Sequence, residues 1–161
     1  MKTKLKHDKT VDDWKLIKEG TKPKKFPKLE LVEFLEKGES YINGEEIIKR
    51  AVKLKADLNQ YHAEYLLEHQ DEIPEEWREF CIVFPATVWR GRDGYRDVPC
   101  LHWDGDRWYL VFDWLDVDWN SGDRLARPAS PLDSRKLDSS LTLGSLALRV
   151  EELEKWREAS R

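Results

Sequence analysis

The spacing of apolar residues divides the chain into a helical half and a strand half. In "LELVEFLEKG" (29–38), Leu31, Phe34 and Leu35 recur at helical intervals and Gly38 supplies a stop, predicting a short helix. "NGEEIIKRAVKLKADL" (43–58) predicts the clearest helix. Asn43 offers a cap with Glu46 three residues on, and Ile47, Ala51, Leu54 and Leu58 form a stripe that Ile48 and Val52 widen. "NQYHAEYLLEHQ" (59–70) reads as a further helical stretch. Pro74 then opens "PEEWREF" at a first-turn position, with Trp77 and Phe80 facing one way.

The period changes at Phe80. "CIVFPATVWR" (81–90) predicts a strand interrupted near Pro85, and "GRDGYRD" (91–97) a turn. "VPCLHW" (98–103) and "WYLVFDWL" (108–115) predict two strands joined by the hairpin "DGDR", and "RLARPA" (124–129) a short fourth. Side chains on a strand alternate between faces. Leu101 and Trp103 therefore share one side, as do Trp108, Leu110, Phe112 and Trp114; Cys100, His102, Tyr109, Val111 and Asp113 take the other. The expected fold is α+β, with N-terminal helices packed on one face of a small C-terminal antiparallel sheet. Residues 1–28, ending in the linker "GTKPKKFPK", read as a basic flexible arm; 29–79 as a helical region; 80–128 as the β region. Residues 129–161 read as a loop followed by a helix over about 145–158, with Leu146, Val150, Leu153 and Trp156 on one face. That face could pack on the domain or pair with another chain.

Charge sharpens this division. Charged residues make up 37% of the chain and mean hydropathy is −0.75. Residues 1–28 carry ten Lys against four acids, whereas 29–79 carry six basic against fourteen acidic residues. From Phe80 to Arg135 there is no Lys and no Glu; the charges there are Arg and Asp. The N-terminal residues lack the apolar run of a secretory signal and no stretch reaches the length of a membrane span, so the expected compartment is the cytoplasm, with no membrane partner. Cys81 and Cys100 make no disulfide framework and are expected as reduced thiols, although neighbouring strands would allow a bridge. No Cys/His spacing along the chain matches a zinc site, and neither a metal nor a cofactor is expected.

The segment "FPATVWRGRDGYRDVPCLHWDGDRWYLVFDWLDVDWNSGDRLARP", together with "KGESYINGEEIIKRAVKLKADLNQYHAEYLLEHQDEIPEEWREF", resembles a family of short, mostly uncharacterised bacterial proteins. The pattern V-P-x-L-x-W-x-G-x-R-W-x-L-x-F-x-W-L, free at its x positions, resembles in turn the variable proteins of diversity-generating retroelements. In those systems error-prone copying at adenines rewrites AAY codons of a ligand-binding protein, often one with a C-type-lectin-like fold. The resemblance implies a ligand-binding face formed by Cys100, His102, Asp104, Asp106, Tyr109, Val111, Asp113, Asp116, Val117, Asn120, Gly122, Asp123 and Ala126. NNY codons cannot encode Lys, Glu, Gln, Met or Trp, and all thirteen positions are free of these. Two departures from the family stand out: Ala86 at a position where Gly is expected, and 34 residues beyond Arg127. The implied fold alternative is C-type-lectin-like, and the implied partner is a protein or glycan.

Two other classes compete. Asp113, Asp116 and Asp118, with Asp104 and Asp106 nearby, supply the paired carboxylates of glycoside hydrolysis, but no His/Ser/Cys constellation supports them and short hairpins make poor clefts. The same aspartates lack EF-hand order for Ca²⁺. A nucleic-acid or regulatory module fits the Lys-rich start, yet the excess of eight negative charges over residues 29–79 repels DNA. The sequence therefore favours a non-catalytic binding protein.

Overall fold

The computed structural model describes residues 5–129. In chain order the elements are β1 (Lys15–Lys18), β2 (Leu29–Val32), β3 (Tyr41–Ile42), α1 (Gly44–Lys53), α2 (Gln60–Glu68), β4 (Cys81–Val83), β5 (Val88–Arg90), β6 (Arg96–Trp103), β7 (Trp108–Trp114), β8 (Trp119–Asn120) and β9 (Asp123–Pro128). Short 3-10 turns cover Lys9–Asp12, Gln70–Glu72 and Glu75–Glu79. Seven strands form one curled, half-barrel sheet, and β3 pairs with β8 in a two-stranded one.

This architecture overturns the expectation of an N-terminal helical layer on a C-terminal antiparallel sheet. The described chain is mostly sheet, its two α-helices lie mid-chain, and β1 and β2 precede both. The sheet is also mixed, because β4 runs parallel to β9. Neither the two-layer arrangement nor the C-type-lectin-like alternative describes this topology. The helix expected over 29–38 is instead strand β2, antiparallel to β9 from Leu29↔Pro128 to Val32↔Leu125. "LELV" satisfies strand alternation as well as helical spacing, and a partner nearly a hundred residues away decides between them. Residues 5–28, expected as a solvated arm, carry a 3-10 turn and β1, with Leu5 buried against Tyr61 and Trp89. The C-terminal helix expected near 145–158 lies outside the described residues.

Strand β6 organises the sheet. Along one edge it pairs with β7 in unbroken register from Asp97↔Trp114 to Trp103↔Trp108. Along the other it pairs with β5 through Arg96 and Asp97, and with β4 through Cys100 and Leu101. The edge is shared because the chain leaves the ladder at Phe84–Thr87, where Pro85 has no N–H to donate. Phe84 N–H still reaches the Pro99 carbonyl, while Ala86 N–H turns to the Leu58 carbonyl.

Alternating side chains feed two cores. Val83, Val98, Cys100 and Leu125 pack with Ile47 and Ala51 of α1, Leu115 and Trp119. Ile82, Phe84, Leu101, Trp108 and Ala126 pack with Ala63 and Leu66 of α2 and with Trp77. Asn43 caps α1 by accepting the Glu46 N–H, as its sequence predicts. Helix α2 is fixed by buried polar groups. The Gln60 amide donates to the His7 carbonyl and to Glu64, its Oε1 accepts Trp89 Nε1–H, and its backbone N–H donates to Thr87 Oγ1. Beyond α2, the Gln70 amide accepts Trp108 N–H at 2.8 Å and donates to the Trp108 carbonyl at 3.0 Å. Both groups face away from β6, so one side chain does there what a neighbouring strand would do.

Two predictions follow from this packing. A Cβ on Gly44 would lie 2.4 Å from the Leu115 carbonyl oxygen. Gly44→Ala therefore costs about 1–3 kcal/mol through overpacking, read as a lower urea midpoint with unchanged m-value. His62, in the capping box with Asn59, is buried, and that burial pushes its imidazole down to about 4 from the ordinary 6.5. The unfolded chain then binds the extra proton between these values, so His62 contributes stability above pH 6.5 that is lost as pH falls toward 4. His62→Gln, which retains a capping-box side chain, shows a smaller loss over that window, by up to about 3 kcal/mol.

Candidate functional site

The sheet's curl gathers four polar side chains onto the α1 side. In the antiparallel β4–β6 register, Ile82 faces Leu101, so Cys81 falls across from His102 at the next position. In the parallel β4–β9 register, Cys81 faces Asp123. Asp113 comes from β7, opposite Val98. Alternation puts Cys81, His102 and Asp113 on the same face as Cys100, which is fully buried beneath them.

Cys81 Sγ lies 3.2 Å from His102 Nε2, and the same nitrogen lies 3.2 Å from Asp113 Oδ2. All three atoms fall within 4.8 Å of one another. The hydrogen bond from His102 to Asp113, then that to Cys81, holds the imidazolium up to about 10, while His102 keeps the Asp113 carboxyl below its usual value. The Cys81 thiol is lowered by its Cys100 neighbour and then by His102; burial pushes Cys100 well up and Asp123 up. Cys81 is thus stabilised as thiolate beside an imidazolium, over a thiol that stays protonated.

The geometry differs from a nucleophilic triad. In a Cys–His–Asp relay the carboxylate orients the ring through the nitrogen opposite the one that takes the thiol proton. Here sulfur and carboxylate converge on Nε2. Both partners compete for the same ring position, so Asp113 does not set the ring up as a base toward Cys81.

Asp113 also lines a shallow groove of about 390 Å³ with Phe112, Trp114, Val117, Asp118, Trp119 and Asp123. Trp114 is 54% exposed there and its ring lies against Tyr95. The groove therefore offers aromatic surface beside three carboxylates.

The thirteen sequence-predicted positions divide by location. Asp113, Val117 and Asp123 line the groove, and His102 joins the cluster beside it. Tyr109 is exposed, with its ring 5.9 Å from that of His102. Asn120 and Gly122 form the turn between β8 and β9, where Asn120 Oδ1 accepts Gly122 N–H and Asp123 Oδ2 accepts Asn120 N–H. Asp116 pairs with Arg96. Asp104 and Asp106 sit at the hairpin tip, and the Asp104 carboxylate accepts two backbone N–H groups of that turn. Val111 is half-buried against the α1-side core. Cys100 and Ala126 are fully buried, Ala126 in the opposite core, so neither presents a side chain to a ligand. The positions do not form one continuous face.

Cys81 was not among those positions. Its signal lay in the β4–β6 register rather than in spacing along the chain: the residue two before Val83 faces the residue two after Cys100.

The two thiols are expected to differ sharply in reactivity. Iodoacetamide at neutral pH alkylates Cys81 well before Cys100, seen by peptide mass spectrometry. His102→Asn slows that alkylation by withdrawing the imidazolium.

No protein family, no curated protein and no solved structure matches the chain, and among the described residues no helix is long and apolar enough to cross a membrane.

Proposed function

We propose that this is a non-catalytic binding protein that takes a protein segment or a glycan in the groove beside β7. The observation that carries this reading is Trp114, a large apolar side chain more than half exposed in a groove that also presents Asp113, Asp118 and Asp123. Exposed indole provides contact area at low entropy cost, and carboxylates accept hydrogen bonds from sugar hydroxyls or basic side chains. The carboxylates disfavour a phosphate backbone, which weighs against nucleic acid as the ligand. The convergence of sulfur and carboxylate on one ring nitrogen weighs against catalysis by the neighbouring cluster.

Retroelement diversification fits part of this surface. Tyr109, Val117, Asn120 and Gly122 lie in the groove, beside the cluster or on the adjoining turn; of these, Val117 also packs against the α1-side core. Variation there alters recognition while β6 and the two cores stay constant. The reading now rests on these positions rather than on all thirteen.

Glycan and random-peptide arrays probed with the wild-type chain should return ligands whose binding falls at least about tenfold in Trp114→Ala and Asp118→Ala, equivalent to about 1.4 kcal/mol. Ligands unaffected by both variants would remove the groove from the account. Sequencing the locus tests diversification separately. A near-copy of codons 98–127, with adenines at the variable positions and a reverse-transcriptase gene beside it, is the expected finding. Codons at those positions that end freely in purines, with no repeat, would end that part of the proposal.

A further inference from the structure

The geometry points to a site for a zinc-like divalent transition metal, held by Cys81 Sγ, His102 Nε2 and Asp113 Oδ2 beside the groove. Three chemically different donors from three strands converge within 4.8 Å, with both closest separations at 3.2 Å. Tetrahedral zinc with ordinary bond lengths places neighbouring sulfur, nitrogen and oxygen ligands about 3.4–3.6 Å apart. The two separations from Nε2 are within a few tenths of an ångström of this spacing, while sulfur and carboxylate, which lie within 4.8 Å of each other, close on one another by up to about 1 Å as an ion enters.

The donor set also selects the ion. One sulfur, one imidazole and one carboxylate suit zinc and its neighbours in the transition series, and suit neither Mg²⁺ nor Ca²⁺, which take oxygen shells. All three ligand residues are part-exposed, which leaves an entry path, and Asp113 belongs to the groove as well. Three protein ligands leave the fourth tetrahedral position to water or to a ligand seated in the groove. Nothing in this assignment depends on what the groove binds.

Sulfur and carboxylate both take the Nε2 proton of the His102 imidazolium, so all three donor atoms are aimed at one point. When a cation takes the place of that proton, Nε2 regains its lone pair, and sulfur, nitrogen and carboxylate each offer an electron pair to the same point. The absence of a zinc-like spacing in the sequence does not argue against it. The ligands are 21 and 11 residues apart because each comes from a different strand.

The test uses the full chain, purified reduced and stripped with chelator, titrated with Co²⁺ and then with Zn²⁺ against a chromophoric competitor. The expected result is one equivalent of Co²⁺ with tetrahedral visible bands and a thiolate-to-cobalt charge-transfer band, displaced by Zn²⁺. The chain has only two cysteines, so the charge-transfer band assigns itself. It disappears in Cys81→Ser and survives in Cys100→Ser. His102→Asn and Asp113→Asn each weaken binding by at least about tenfold, with circular dichroism showing the fold retained. If Asp113→Asn unfolds, the wild-type cobalt spectrum and Cys81→Ser still decide. The assignment is overturned if the wild-type chain takes no stoichiometric metal, if Co²⁺ binds without charge transfer, or if the band survives in Cys81→Ser.

Discussion

The fold depends on β6 serving three neighbours at once. A single eight-residue strand carries β7 on one edge and divides the other between β4 and β5. That division requires the chain to leave the ladder and rejoin it, and Pro85, unable to donate a ladder hydrogen bond, sits where it leaves. The two short strands then diverge, β5 toward β1 and β4 toward β9 and β2, so the sheet curls. The curl has a chemical consequence. It brings Cys81, His102 and Asp113, from three strands, to within reach of one another over Cys100.

Burial on both sides of the sheet accounts for the dense apolar positions of the segment 98–128. One set of alternating residues packs toward α1 and the other toward α2, so Leu101, Trp108, Leu115, Trp119 and Leu125 are core on one side or the other, while Trp114 is left exposed at the end of β7. The polar positions survive where the sheet runs out of cover: at the hairpin tip, at the C-terminal end of β7 and in the turn before β9. Function, on this reading, occupies the rim of a two-sided core and not one open face.

The local parts of this structure were legible in the sequence. Asn43 at the start of α1, the interruption at Pro85, the Asp104–Gly105 hairpin and the alternation along β6 and β7 each follow from residues within a few positions of one another. The long-range parts were not. Leu29–Val32 reads equally as helix or strand until β9 is brought to it, and β1 gains its identity from β5. The site suffered in the same way. Alternation placed His102 and Asp113 on one face, but Cys81 joined them only through the β4–β6 register, and the burial of Ala126 in the opposite core followed from the β4–β9 pairing. Periodicity carries information about faces; it carries none about which remote strand lies beside which.

The amide of Gln70 has a consequence for how the protein keeps to itself. An outer strand with bare N–H and C=O groups invites another chain to extend the sheet, and proteins commonly deter this with lysine or proline. At the start of β7, where Trp108 would offer such a pair, Gln70 already occupies both groups. The deterrent here is a neutral side chain delivered from outside the sheet. It leaves residues 80–128 free of lysine and confines intermolecular pairing along β7 to that strand's other end.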